Sequence, residues 1–185
     1  MTVLYENPLA KPADLEGFRL EGDGATSYPL GRLRLESVRP ADDGQDANVV
    51  LWCPEEFPPD ITVEWDFWPI REPGLCILFF HAKGRHGEDF RRRWPAERAF
   101  HTCNLRKSYG FHLVAQGADP IPDVADADGP YHLRLTVQRG EITFAVNDLV
   151  SFTWYDERPL PGGRIGFRQM APLIGEYANL RVTTP

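Results

Sequence analysis

Residues 61–68 read Ile-Thr-Val-Glu-Trp-Asp-Phe-Trp, and this alternation constrains the fold more than any other feature of the chain. Successive side chains of a strand point to opposite faces. Ile61, Val63, Trp65 and Phe67 therefore share one side, and Thr62, Glu64, Asp66 and Trp68 share the other. Such a strand is half-buried and needs a second layer to cover its apolar side. Alternation recurs where Leu33 and Leu35 interleave with Arg32 and Arg34. Residues 75–81 are apolar on both faces, which predicts a strand in the middle of a sheet. Residues 49–53 predict a short apolar strand stopped by Pro54. Further strands are expected at 99–106, 110–116, 131–138, 142–146, 149–154, 164–168 and 178–182, with hairpin turns at Arg139-Gly140-Glu141 and Asn147-Asp148. The 17 prolines and 16 glycines are spread along the chain, and no amphipathic helix stands out. Roughly ten short strands at regular spacing predict an all-β antiparallel sandwich, with the topology left open by periodicity alone.

The 185 residues suit one domain, spanning 1–185, with residues 1–30 expected as an irregular arm packed on it. The net charge of −7 disfavours nucleic acid and anionic membranes as partners. No apolar run is long enough to span a bilayer. The first eight residues lack the basic and apolar regions of a signal peptide, so a cytoplasmic location is expected. Cys53, Cys76 and Cys103 form an odd set without a CxxC pair, each in an apolar stretch, and are expected to be buried free thiols in a reducing compartment. No glycine-rich phosphate loop occurs, and no cofactor is expected. No HxH or HExxH spacing occurs, so no metal centre is expected; Asp42, Asp43 and Asp46 in one acidic turn are the only oxygen cluster that invites calcium.

Several longer words carry a more specific signal. The stretches Glu64-Trp65-Asp66-Phe67-Trp68-Pro69-Ile70, Arg98-Ala99-Phe100-His101-Thr102-Cys103-Asn104-Leu105-Arg106-Lys107-Ser108, Gly110-Phe111-His112-Leu113-Val114-Ala115-Gln116-Gly117 and Gly166-Phe167-Arg168-Gln169-Met170-Ala171-Pro172-Leu173 resemble the YesU-like family of bacterial domains of unknown function. The resemblance runs from Leu4 to the C-terminus. It implies a concanavalin A-like lectin/glucanase jelly-roll β-sandwich, also described as galectin-like, and an association with polysaccharide breakdown in bacteria. It does not supply a reaction. One departure is visible: the family carries a longer loop between Gly87-Glu88-Asp89 and Arg91-Arg92-Arg93-Trp94, which here are almost fused.

Three groups of residues could carry chemistry on carbohydrate. His112 and Gln116 fall on one face of the 110–116 strand, where the imidazole could remove the proton beside a uronate carboxyl while Gln116 or an arginine steadies the developing enolate. Glu64 and Asp66, two apart on one strand face, are paired carboxylates of the kind retaining glycosidases use. Their spacing resembles the ExDxxE pattern of jelly-roll glucanases but lacks its second Glu. The third group would bind: Asn104 and Arg106 in a polar row, with His101 on the opposite face, Lys107 beyond it, and Arg168 and Gln169 after a closing strand where a site rim would lie. Trp68, Trp94 and Tyr109 are candidate platforms for sugar rings. The basic set Arg98, Arg106, Lys107 and Arg168 inside an acidic chain suggests an anionic oligosaccharide. The expectation is a carbohydrate-active protein, a lyase or a glycoside hydrolase acting on uronate-containing sugars of plants or algae. The alternatives are a non-catalytic galectin-like binding module and an assembly domain whose sugar-facing surface is covered by a second copy, a homo-oligomer. All of this requires 61–68, 101–106 and 110–116 to present their polar sides to one shared hollow.

Overall fold

The computed structural model describes residues 1–71, 74–83, 109–114 and 130–185. Thirteen strands run through them: β1 (Val3–Asn7), β2 (Arg19–Glu21), β3 (Gly24–Ser27), β4 (Leu33–Ser37), β5 (Val49–Phe57), β6 (Ile61–Arg71), β7 (Leu75–Ala82), β8 (Tyr109–Val114), β9 (Tyr131–Gln138), β10 (Glu141–Val146), β11 (Leu149–Tyr155), β12 (Gly163–Gln169) and β13 (Ile174–Thr183). They form two sheets. One has eight strands in the order β11-β10-β9-β6-β13-β4-β3, with β1 also paired to β13. The other has five in the order β2-β5-β12-β7-β8. Every pairing is antiparallel. The architecture is an all-β jelly-roll sandwich.

The alternation of β6 sets which side is the core. Ile61, Val63, Trp65 and Phe67 are buried against the second sheet. They pack with Leu133, Leu135 and Val137 of β9, Tyr177 and Val182 of β13, and Ile165 and Phe167 of β12. Trp65 and Tyr177 both contact the Phe167 ring, at centroid distances of 5.7 and 4.8 Å. Each such large side chain contributes about 1.5–3 kcal/mol by leaving water. Two tight turns fix the register of β9, β10 and β11. Arg139 and Gly140, and then Asn147 and Asp148, have positive φ, as two-residue hairpin turns of type I′ require.

Three expectations need correction. The first thirty residues are not an irregular arm: β1 pairs with β13, β2 edges the five-stranded sheet and β3 edges the eight-stranded one. These strands are short and lack a clear alternation, so pairing with other segments, distant for β1 and β2, and not their own pattern makes them strands. Pro54 does not stop β5, which continues to Phe57. The register with β12 shifts between Trp52 and Glu56, and β2 pairs only as far as Trp52, so the missing N–H at Pro54 falls at a bulge beside an ended edge strand. Gln169 is no rim residue. It lies 1% exposed between the sheets, donating to the Leu35 and Leu173 carbonyls and accepting from Gly175 N–H and the Tyr177 hydroxyl. Its amide is fully used in holding β4, β12 and β13 together.

Candidate functional site

The polar side of β6 lies on the outer face of the eight-stranded sheet, and antiparallel pairing supplies its neighbours. Glu64 registers with Arg134 and Asp66 with His132, both on β9. The Arg134 Nε donates to Glu64 at 3.0 Å, and the same guanidinium pairs with Asp148 at the next turn. Burial would lower the Arg134 pKa, but its bonds to Glu64 and Asp148 outweigh that and hold it above its ordinary value. Asp66 meets the His132 Nδ1 at 2.9 Å and accepts from the Asn179 Nδ2 at 2.7 Å. The other imidazole nitrogen, Nε2, lies 3.6 Å from Glu64. Farther along, Glu176 is buried between Arg32 and Arg34, at 2.8 and 2.6 Å, and the Arg32 guanidinium sits 4.3 Å from the centre of the Trp68 ring. Both carboxylates expected to act as a hydrolytic pair are thus engaged by cationic or amide donors. Sequence reasoning missed His132, Arg134 and Asn179; the alternation of 131–138 could have found the first two once β9 was laid against β6.

The outer face of the five-stranded sheet is different. Val50, Ile77 and Phe79 are buried there as a second apolar cluster, with Trp52 and Met170 packed on it. Trp52, Gly166 and Phe79 form one transverse row across β5, β12 and β7. The six-membered ring of Trp52 fills the space over Gly166, where an added Cβ would lie 2.5 Å from the ring. The indole is within 14° of parallel to the Phe79 ring, 5.6 Å away between centroids. Its Nε1–H donates to Glu21 on β2 at 2.8 Å, which fixes the ring's orientation. A partly exposed tryptophan is therefore anchored on three sides against a sheet surface. Trp52 was not singled out from sequence, because it sits inside an apolar run that reads as core.

The next row crosses Glu21, Val50, Arg168, Ile77 and His112 by backbone register. Arg168 is 0% exposed. Its Nη2 donates to Gln45 Oε1 at 2.6 Å, and its Nη1 lies 3.7 Å from the Met170 sulfur. Burial pushes the guanidinium down to about 10. The expectation that Arg168 lines an open rim is corrected: it lies inside β12, beneath the surface, with its guanidinium against Gln45 and Met170. The acidic turn contributes Gln45 to this contact from the 3-10 segment Ala41–Ala47, while Asp43 pairs with Arg39 at 3.4 Å.

The sequence-derived candidates thus divide. Glu64, Asp66 and Trp68 share the outer face of the eight-stranded sheet, whereas Arg168 and the backbone of His112 belong to the five-stranded sheet on the far side of the core. The three catalytic candidates are not brought together: Glu64 and Asp66 stand on β6 and the backbone of His112 on β8, in different sheets. His101, Asn104, Arg106, Lys107 and Gln116 lie outside the described residues, as do Trp94, Arg98 and Cys103. Cys53 and Cys76 are buried free thiols, pushed up to about 11 and about 12 by burial. Among the described residues no three His, Cys, Asp or Glu side chains are grouped to hold a metal ion, and no helix is long and apolar enough to cross a membrane.

Comparison with known proteins places this geometry. The sequence profile described as Domain of unknown function (DUF1961) matches residues 2–90 and 86–182. The uncharacterized protein YesU of Bacillus subtilis (strain 168) is 42% identical over 212 aligned positions, covering 97% of this chain and 94% of that protein. The alignment is longer than this chain, and the two profile matches meet at residues 86–90, where the family's longer loop was expected. The crystal structure of a Bacillus subtilis protein of unknown function with a galectin-like fold is 40% identical, with a TM-score of 0.74 and coverage of 100% of this chain and 96% of that one. The potassium-bound carbohydrate recognition domain of Emp46p has a TM-score of 0.61 at 15% identity, over 96% and 95% of the two chains. The carbohydrate binding module CBM66 from Bacillus subtilis has a TM-score of 0.60 at 13% identity, over 91% and 96%. These last two likenesses show a shared fold.

Proposed function

The chain belongs to the family described as Domain of unknown function (DUF1961), and from that premise we propose that it binds carbohydrate through the outer face of its five-stranded sheet. The observation that carries this reading is the Trp52 indole, held over Gly166, beside Phe79 and by Glu21. A rigid aromatic surface offers a sugar ring an apolar platform at reduced entropic cost, since the indole is already held in place. Two proteins of the same fold are named for carbohydrate recognition, which supports the reading without carrying it.

The narrower form of the proposal is eliminative cleavage of a uronate-containing oligosaccharide of plants or algae. His112 would take the proton beside the carboxyl, the C–O bond to the leaving sugar would break with its oxygen taking up one proton in return, and an unsaturated uronate would remain, with no water consumed. The support is the register that sets His112 two strands from the Arg168 guanidinium. A glycosidase reading built on Glu64 and Asp66 is weaker, because Arg134, His132 and Asn179 already engage both carboxylates. The remaining alternative is a galectin-like module that binds without turnover.

The test is calorimetric titration of the protein with neutral and uronate oligosaccharides, beside absorbance of the unsaturated product. Binding by the parent, weakened at least about tenfold in Trp52→Ala and unchanged in Asp66→Asn, is the expected result. The reverse pattern, or no binding to any sugar of the panel, would overturn it. Binding without absorbance change would leave the module and reject the lyase.

A further inference from the structure

The acidic turn sends one side chain onto the five-stranded sheet. The 3-10 segment Ala41–Ala47 reads Ala-Asp-Asp-Gly-Gln-Asp-Ala, and Gln45 is its one uncharged polar side chain. Gly44, with a φ of 61°, turns the backbone immediately before it. Asn48, 1% exposed, then holds Gln45 twice. Its backbone N–H donates to the Gln45 carbonyl at 3.2 Å, and its Nδ2 donates to Gln45 Oε1 at 2.9 Å. The turn is tied down again where Asp43 pairs with Arg39. Gln45 is thereby placed against the buried Arg168, whose Nη2 donates to the same Oε1 at 2.6 Å.

These contacts settle which way the carboxamide points. A guanidinium has donors and no acceptor. The amide oxygen must therefore face Arg168 and the amide nitrogen must face away, since the reverse would set donor against donor. Oε1 takes two bonds, one for each of its lone pairs. Nε2 has two N–H donors, and nothing among the described residues accepts from them; Gln45 is partly exposed. Because the oxygen is pinned, the donors are held in place before any ligand arrives, and less rotamer freedom is lost on binding. The position adjoins the anchored indole. Arg168 registers with Val50, which is two residues from Trp52 on the same face of β5, about 6–7 Å by strand rise.

We propose that Gln45 is a specificity-determining residue of the sugar face, its outward N–H pair donating to an acceptor oxygen of the sugar that lies on Trp52. The inference rests on the carbohydrate reading and assigns that site a fixed hydrogen-bond donor. Arg168, with no exposed surface, acts through Gln45 as its positioning group. A sugar with a hydroxyl or carboxylate oxygen at this place pairs the two donors. A deoxy sugar there leaves them desolvated and unpaired, and is rejected.

Gln45→Glu separates this role from a structural one. Glutamate keeps the oxygen that Arg168 and Asn48 hold, with a stronger, charge-assisted bond, but puts a second oxygen where the donors were. Calorimetric titration with the oligosaccharides that the parent binds is expected to show affinity weakened at least about tenfold. The loss should persist in about 1 M salt, where an added surface charge is largely screened, and the thermal midpoint should not fall below the parent's. Affinity equal to the parent's, or a loss that disappears in high salt, would overturn the inference; Trp52→Ala still losing affinity would then leave the carbohydrate reading standing. A parent that binds no sugar overturns both. If Gln45→Glu does not fold, the Gln45 side-chain amide resonances of the isotope-labelled parent decide. A downfield shift on adding sugar is expected, and resonances that stay in place reject the role.

Discussion

The outer faces of the two sheets obey the same alternation and reach opposite solutions. On the eight-stranded sheet, outward positions are polar or charged and paired with one another: partly exposed Glu64 with Arg134, partly exposed Asp66 with His132 and Asn179, and buried Glu176 with Arg32 and Arg34. On the five-stranded sheet, outward positions are Val50, Ile77, Phe79 and Trp52, with the Arg168 guanidinium set among them. The first surface has satisfied itself, and a ligand there would have to break bonds already made. The second holds an apolar plane, an anchored indole and a buried guanidinium bonded to Gln45, and a convergence of apolar surface with a few polar groups is what ligand sites are built from. A row of charged residues is thus the poorer guide to a site, and the buried exception is the better one.

If this contrast is right, substitutions on the two faces should differ in kind. The largest effect is expected for Arg168→Ala, which empties a buried volume and strips Gln45 of a donor. A loss of about 3–5 kcal/mol in chemical denaturation is expected, and a loss under about 1 kcal/mol would show that the guanidinium is not embedded as described. Acid comes next. Burial is the main cause that lowers the His81 pKa to about 4, with Asp60 opposing it weakly. A histidine held neutral in the fold binds its proton more readily in the unfolded chain. Stability therefore rises with pH across this window, is intact above about 6.5, and falls by up to about 3 kcal/mol as pH drops toward 4. Thermal melts at pH 7 and pH 4.5 check this, and His81→Gln should flatten that part of the profile. Gly166→Ala should cost about 1–3 kcal/mol by overpacking and displace the indole from its seat, visible as a shift in tryptophan emission. Smallest of all, Glu64→Gln on the charged face should change stability by about 0–1 kcal/mol and leave sugar affinity untouched, because half-exposed ion pairs contribute little. A large effect of Glu64→Gln on binding, with none from Gly166→Ala, would invert the comparison.

Much of the fold was legible because β6, β9 and the hairpins through β11 are local patterns: alternation, then Arg139-Gly140, then Asn147-Asp148. The strands β1 and β2 were not, since their pairing with β13 and β5 is contributed by distant residues. At the site, alternation placed Glu64, Asp66 and Trp68 on one surface correctly but could not say that β8 joins the other sheet. It gave no sign that Arg168 is buried against Gln45 and Met170, or that Gln169 lies in the core, where an amide with four bonds replaces an apolar side chain. Burial of a polar group depends on what the rest of the chain lays over it, and a single strand's pattern contains no record of that.

The place of β13 has a consequence for assembly. This strand lies between β6 and β4 and also receives β1, so three earlier segments wait for it. Until β13 is in place, β6 and β4 each lack a neighbour, and the eight-stranded layer exists only as two fragments and a lone β1. Removing these ten residues would therefore divide the layer through its middle instead of trimming its rim.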